Sequence, residues 1–198
     1  MNRKLLAILA AVFIGVGLLS GALFFFAGND KAGSSGSTAI GGPFTLTDTE
    51  GKPFSSDQLK GSPYLLFFGF TYCPEICPTT LYDLTQDMKE IGSEADKLKI
   101  VFISVDPERD TPEQIKLYLS NFDSRIIGLT GTDKEIAAVA RDFKAFYRKV
   151  PTSDGDYTMD HQVTIYMMDG NGRFVSASNY QESQEVRIAK IRRLLEGR

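Results

Sequence analysis

Residues 64–80 read YLLFFGFTYCPEICPTT, and this stretch decides the predicted fold. Its first seven residues form a near-continuous apolar run, which is typical of a strand buried on both faces of a sheet. Pro78 fits the first turn of a helix, where proline is favoured, so Cys77 is expected at or near the helix N-cap. The stretch therefore predicts a buried strand, a short loop that carries the cysteines, and a helix.

Strand and helix patterns alternate downstream of this loop. Apolar runs at Ile100–Val105 and Ile126–Leu129 predict two more strands. Helices are predicted over Pro78–Ile91, after Thr111 and after Thr132, because apolar residues recur at helical spacing and both threonines match the capping-box spacing. The order predicted here is strand, helix, strand, helix, strand, helix.

The last part of the domain predicts a hairpin and a closing helix. The sequence DGNG at Asp169–Gly172 is a strong hairpin signal between strands at Gln162–Met168 and Arg173–Ser178. A helical apolar pattern then spans Val186–Leu195. With right-handed crossovers, the whole order predicts an α/β, thioredoxin-like three-layer sandwich over residues 43–198.

Composition limits the chemistry that this domain can carry. The chain has 198 residues, two cysteines, one histidine and a net charge of −3, which suit one domain with appendages. The sequence has no basic stripe, so a nucleic-acid partner is not expected. Two cysteines and one histidine exclude a disulfide-dense scaffold and a zinc site made of four Cys and His ligands. Soft-metal chemistry would therefore use Cys73, Cys77 and His161.

The N-terminus predicts a transmembrane anchor over residues 1–27. Arg3 and Lys4 precede the apolar run Leu5–Ala27, whose 23 residues would form a helix of about 34 Å, enough for a hydrocarbon core of about 30 Å. A cleaved signal peptide is the alternative, but its apolar region is about 7–15 residues long. A lipoprotein anchor is not expected, since no cysteine lies near residue 20.

The same segment predicts where the domain lies. The positive N-terminus should stay in the cytoplasm, so the domain is expected on the extracytoplasmic side. The sequence shows no Arg-rich, Ser-rich transit peptide, which favours the bacterial inner membrane. Residues 28–42 are rich in Gly and Ser and predict a linker that spans about 22 Å. An extracytoplasmic location also permits a disulfide between the two cysteines.

The spacing of the cysteines leaves several uses open. The positive end of the helix favours thiolates, which are both nucleophiles and metal ligands. Three residues separate Cys73 from Cys77, whereas redox enzymes of this fold commonly have two, and the longer loop leaves room for an ion. A redox-active disulfide is still within reach. A purely structural disulfide is the alternative, although closing so short a loop stabilises a fold little.

His161 is the only imidazole in the chain and precedes the predicted strand Gln162–Met168. We expect it on a loop that faces the cysteines. Two thiolates and one imidazole suit copper, because soft thiolates select Cu(I) and imidazole binds either oxidation state. Zinc in a catalytic site, with water as the fourth ligand, is the alternative. A weak axial sulfur from Met159, Met167 or Met168 is disfavoured, because methionine in a strand usually packs into the core.

The stretch Ser104–Pro112 follows the second buried strand and should lie at the same edge of the sheet as the cysteines. Its carboxylates could tune the site or form a docking surface. Capping of the next helix by Asp110 or Thr111 is the simpler interpretation.

Three stretches resemble the Sco/SenC family of copper-delivery proteins for cytochrome c oxidase assembly, and the resemblance covers nearly the whole chain. They are Gly69–Leu81, Ser104–Pro112 and Asp160-His161. Glu75 stands where Asp is common in the family, and Gln162 where Ser is common. Neither departure removes a metal ligand.

The resemblance implies a thioredoxin-like fold and copper, as Cu(I) or Cu(II), bound by Cys73, Cys77 and His161. It also implies action at the binuclear copper A centre of oxidase subunit II. The leading hypothesis is a membrane-tethered copper chaperone that needs no catalytic residue for an organic substrate. The alternative is a thiol–disulfide oxidoreductase that reduces the cysteine pair of the oxidase subunit. A redox or copper sensor is a weaker third hypothesis, and neither the copper donor nor the thiol reductant follows from the sequence.

Overall fold

A computed structural model describes residues 39–197, and these residues contain nine strands and four α-helices. In chain order the strands are β1 (Thr45–Asp48), β2 (Pro53–Ser55), β3 (Tyr64–Gly69), β4 (Lys99–Ser104), β5 (Ile126–Thr130), β6 (Tyr147–Pro151), β7 (Tyr157–His161), β8 (Thr164–Met168) and β9 (Phe174–Asn179). The helices are α1 (Ile76–Ile91), α2 (Pro112–Leu119), α3 (Asp133–Asp142) and α4 (Gln184–Leu195).

Seven of the strands form one sheet in the order β2-β1-β5-β4-β3-β8-β9. The central strands β3, β4 and β5 run parallel, whereas β8 pairs antiparallel with both β3 and β9. This is a mixed α/β arrangement in which crossover helices join the parallel strands and a hairpin with a closing helix completes the sheet. The predicted order of these elements is confirmed.

The central strands are buried, as their apolar sequences predict. All six residues of β3 are buried, and so are all residues of β4 except Lys99. Phe67 on β3 and Phe102 on β4 are fully covered and pack against each other at 6.2 Å between ring centroids. This rigid pair of strands supports the loops that follow them at the carboxyl edge of the sheet.

The helix starts predicted after Thr111 and Thr132 are confirmed by their caps, whereas α1 begins at Ile76, two residues before the predicted start at Pro78. The Thr111 hydroxyl accepts a hydrogen bond from the backbone N–H of Gln114, and Thr132 and Glu135 form a full capping box. A buried ion pair between α1 and α4, in which Arg187 donates two hydrogen bonds to Asp87, was not predicted. The pair ties the closing helix to the helix that follows the cysteines.

A second sheet was not predicted. Strands β6 and β7 pair antiparallel, with Tyr147 opposite His161, and form a separate two-stranded β6–β7 hairpin. The predicted loop position of His161 is therefore wrong: it is the last residue of β7, and β8 begins only at Thr164. Of the ten residues in its two strands, four are exposed and only Met159 is buried, so no buried apolar run marks these strands.

The predicted anchor at residues 1–27 and most of the linker at 28–42 lie outside the described residues. Within residues 39–197, no helix combines the length and the apolar character that crossing a membrane requires. The compact unit begins at Ala39, and the backbone N–H of Gly41 already donates to the carbonyl of Asp142 at 2.9 Å. The end of the predicted linker thus lies against the domain.

Candidate metal centre

Both cysteines lie where β3 leads into α1. Cys73 is partly exposed in the loop formed by residues 70–75, which we call the Cys loop, and Cys77 is fully buried as the second residue of α1. The backbone N–H of Cys77 donates to the Cys73 sulfur at 3.3 Å. The first turn of the helix therefore faces the accessible sulfur, as the sequence predicts, and both thiols are free.

Gly69, the last residue of β3, makes room for the buried sulfur. A Cβ atom at this position would lie 2.9 Å from the sulfur of Cys77 and 2.7 Å from the ring of Phe102. Real Cβ contacts are not that short, so any side chain here would displace the sulfur or the core. The glycine is needed for this close approach and not for a turn.

His161 reaches the cysteines from the β6–β7 hairpin. Its Nε2 atom lies 3.4 Å from the sulfur of Cys77, and its Nδ1 atom lies 3.2 Å from the carbonyl oxygen of Gln162. Since a carbonyl oxygen only accepts, Nδ1 carries a proton, and Nε2 is the ring atom that faces the sulfurs. The ring is held edge-on against Phe70 at 5.6 Å and Phe67 at 6.3 Å between centroids.

The three donor atoms form one group. The two sulfurs and the nearer imidazole nitrogen all lie within 4.8 Å of one another. Two soft sulfurs and one imidazole fit Cu(I), whereas a structural zinc site would need a fourth protein ligand. The structure thus brings together all three residues singled out in the sequence.

The methionines near His161 are buried. Met167 and Met168 are fully covered, and the sulfur of Met167 accepts a hydrogen bond from Ser176 at 3.2 Å. Met159 is also buried. The expectation that these side chains pack into the core is confirmed.

The pKa values of the two thiols are shifted in opposite directions. Hydrogen bonds, chiefly from the Cys77 thiol and then from His161 and the Cys77 backbone, lower the pKa of Cys73 to about 4. The pKa of Cys77 is raised, because its sulfur donates to the Cys73 thiolate and is buried. At neutral pH the metal-free site therefore holds one accessible thiolate beside one buried thiol.

The stretch Ser104–Pro112 supports the Cys loop. The fully buried carboxylate of Asp110 accepts hydrogen bonds from the backbone N–H of Thr71 at 2.9 Å, from its hydroxyl at 2.6 Å and from the Ser104 hydroxyl at 2.6 Å. Of the two capping candidates, Thr111 caps α2, whereas Asp110 fastens the start of the Cys loop to β4.

Comparison with known proteins agrees with this geometry. Residues 32–196 match the family model described as SCO1/SenC. The chain belongs to the SCO1/SenC family. It is 43% identical over 162 residues to the yeast mitochondrial protein SCO2, a match that covers 79% of this chain and 53% of the yeast protein. This SCO1/SenC chain thus spans about half the length of that relative.

Two solved structures of the family are informative. The structure of Bradyrhizobium japonicum ScoI with copper bound is 51% identical, with a TM-score of 0.73, and the match covers 79% of this chain and 99% of that one. BsSco, a member of the Sco family of cytochrome c oxidase assembly proteins with a disulfide switch, is 30% identical, with a TM-score of 0.64 and coverage of 81% and 95%. The predicted mixed α/β, thioredoxin-like fold is confirmed.

Proposed function

We propose that this SCO1/SenC protein binds one copper ion through Cys73, Cys77 and His161 and delivers it during the assembly of cytochrome c oxidase. The observation that carries the proposal is the group of two sulfurs and one imidazole nitrogen within 4.8 Å of one another. The copper-bound ScoI relative and the assembly role named for the BsSco family support it. Copper is the cargo, and the chain needs no organic substrate.

The unequal exposure of the ligands suits delivery. Cys73 is partly exposed, whereas Cys77 is fully buried. An incoming thiolate of a partner can therefore replace the Cys73 ligand first, while Cys77 and His161 still hold the ion. Exchange of one ligand at a time avoids a free copper ion.

The more specific parts of the proposal concern place and partner. We propose that the receiving site is the copper A centre of oxidase subunit II, as the family resemblance implies. The apolar run Leu5–Ala27 supports a single-pass anchor in the bacterial inner membrane, with the domain on the extracytoplasmic side. The linker at residues 28–42 would have an r.m.s. end-to-end distance of about 22 Å and so would keep the domain near the membrane surface.

The split acidity of the thiols favours a second candidate, thiol–disulfide exchange. The Cys73 thiolate would attack one sulfur of a partner disulfide, so that a mixed disulfide forms and a partner thiolate leaves. Cys77 would then lose its proton and attack the Cys73 sulfur, which releases the second partner thiol and leaves a Cys73–Cys77 disulfide. Two electrons pass to the partner, and a thiol reductant must restore the pair. The disulfide switch of BsSco supports this candidate.

A copper titration of the full reduced chain, in competition with a Cu(I) chelator, tests the delivery proposal. His161→Ala should weaken copper binding severely and leave thiol–disulfide exchange largely intact. The control is Gln162→Ala, whose side chain bonds only to Thr164 among the described contacts, at 2.9 Å. Unchanged copper affinity in His161→Ala would overturn the three-ligand site, and retained support of oxidase assembly by that variant would favour the exchange reaction.

A further inference from the structure

Arg109 connects three separate segments beside the metal centre. Its Nε atom donates to the carboxylate of Asp106 at 2.6 Å, and its Nη1 atom donates to the backbone carbonyl of Tyr157 at 2.9 Å. Its guanidinium also lies over two aromatic rings, 3.7 Å from the centroid of Tyr157 and 4.7 Å from that of Tyr72. Tyr72 precedes Cys73 in the Cys loop, and Tyr157 begins the strand that ends at His161.

Tyr157 and Asp106, which both contact Arg109, are also hydrogen-bonded to each other. The phenol of Tyr157 donates to the second carboxylate oxygen of Asp106 at 2.8 Å. Asp106 is 2% exposed and the side chain of Arg109 is 16% exposed. Charged hydrogen bonds in such a covered place are stronger than those at the surface. We call Asp106, Arg109 and Tyr157 the arginine clamp.

The clamp acts on strands that form no hydrogen-bonded ladder with the main sheet, although His161 is joined to β8 through the two residues between them. Among the described strands, β6 and β7 pair with each other and not with the seven-stranded sheet. Apart from this connection, the position of the β6–β7 hairpin depends on contacts made by side chains and loops. A second tie, the ion pair between Lys149 and Glu108, is exposed, and exposed pairs contribute little.

We propose that Arg109 is a positioning residue, which holds the β6–β7 hairpin against the Cys loop so that the His161 imidazole faces the sulfur of Cys77. The consequence for copper rests on the function proposed above. Arginine suits the task because its planar fork serves two acceptors at once while its faces stack on aromatic rings. Lysine would keep the charge but could not make both sets of contacts.

The first test is a double-mutant cycle on copper affinity, measured with Cu(I) on the full chain. Arg109→Ala should weaken binding by about tenfold or more, the range found for residues that orient metal ligands. In a His161→Ala background the same change should cost less than about twofold, because the clamp acts through that ring. An equal loss in both backgrounds would overturn the proposal.

Two further variants control for general damage to the fold. Arg125→Ala removes an arginine that also makes several charged hydrogen bonds, to Asp123 and Asp96, and copper affinity should not change. If Arg109→Ala does not fold, Arg109→Lys takes its place in the cycle, and a loss smaller than about twofold with the lysine would also count against the proposal.

The second test needs no metal. The chain has one histidine, so its imidazole proton signals in an NMR spectrum are unambiguous. The ring packs against Phe70 and Phe67, so those signals should carry ring-current shifts that Arg109→Ala reduces and Arg125→Ala leaves alone. Unchanged imidazole signals in folded Arg109→Ala would refute the positioning role even if copper binds. If the unaltered chain does not bind copper, but Arg109→Ala still shifts the imidazole signals, only the proposed function is refuted.

Discussion

The Nε2 atom of His161 lies 3.4 Å from the sulfur of Cys77, although 84 residues separate them in the chain. The sulfur is fixed by the junction of β3 and α1, where Gly69 allows its close approach. The imidazole is fixed by the β6–β7 hairpin and by the aromatic rings beneath it. The site therefore depends on how a small, partly exposed sheet is held against the buried central one.

The reactivity of Cys73 should follow its lowered pKa. Alkylation of the full reduced chain by iodoacetamide should proceed at Cys73 with a midpoint near pH 4, since its pKa is about 4. Cys77→Ala should move that midpoint toward the ordinary thiol value of 9.0, because the Cys77 thiol is the main cause of the shift. Peptide mapping identifies the modified residue. A midpoint near 9 in the unaltered chain would contradict the arrangement of the two sulfurs.

The affinity for Cu(I) should fall by a constant factor for each unit by which the pH is lowered. Ligands bind copper as thiolates, and the raised pKa of Cys77 means that this thiol must lose its proton on binding, whereas Cys73 is already ionised. Between pH 7 and 9 the affinity for Cu(I) should therefore rise about tenfold per pH unit. Titrations against a chelator of known pH dependence measure the slope. Cys77→Ala should flatten it, and a slope of zero or of two decades in the unaltered chain would contradict the account.

Gly69→Ala should damage both the core and the site. The new methyl group would meet the sulfur of Cys77 and the ring of Phe102, and such overpacking costs about 1–3 kcal/mol. We expect a lower free energy of unfolding in urea and weaker copper binding. Gly42→Ala is the control, because its Cβ would meet Asp142 at an ordinary 3.5 Å. Equal stability of the two variants would show that the strand does not constrain the sulfur.

Asp110→Asn should loosen the Cys loop. Three hydrogen-bond donors converge on the Asp110 carboxylate, and an amide would turn an N–H toward at least one of them, at a cost of about 1–3 kcal/mol. Asp48→Asn, at the end of β1, is the control, because Glu50 and Lys52 both donate to one oxygen of Asp48, which an amide oxygen can replace. Urea unfolding at pH 7 measures both, and equal effects would contradict the role of Asp110.

The raised pKa of Asp110 makes the stability of the fold depend on pH. Burial raises the pKa of Asp110 above the ordinary value of 3.8. The folded state therefore binds the Asp110 proton more tightly than the unfolded chain does. This tighter binding stabilises the fold fully below pH 3.8, and the stabilisation is lost as the pH rises through the folded pKa. The stability difference between the unaltered chain and Asp110→Asn should therefore grow from pH 7 to pH 4. A difference that shrinks in acid would contradict the raised pKa.

The sequence allowed the prediction of one side of the site. The apolar run at residues 64–70 and Pro78 place both cysteines at the start of a helix, because strand burial and helix initiation are local properties. His161 stood out as the only imidazole, and the fold class placed it opposite the cysteines. Its presence on a strand could not be predicted, since β6 and β7 have only one buried residue between them and show no apolar run.

The contacts that support the metal ligands could not be predicted from the sequence, for a different reason. Arg109 and Tyr157 are 48 residues apart, and their contact depends on how the β6–β7 hairpin lies against the loop after β4. Likewise, Asp110 reaches Thr71 across 39 residues, although the local pattern equally suggested a helix cap. Local patterns predicted the elements and the ligands, while long-range packing decided what holds the ligands in place.

The most direct test of the central claim is X-ray absorption spectroscopy of the full chain loaded with one equivalent of Cu(I). The account predicts two sulfur scatterers and one imidazole nitrogen around each copper ion, with the nitrogen signal absent in His161→Ala. A copper environment made of sulfur alone in the unaltered chain, or a nitrogen signal that persists in His161→Ala, would contradict it.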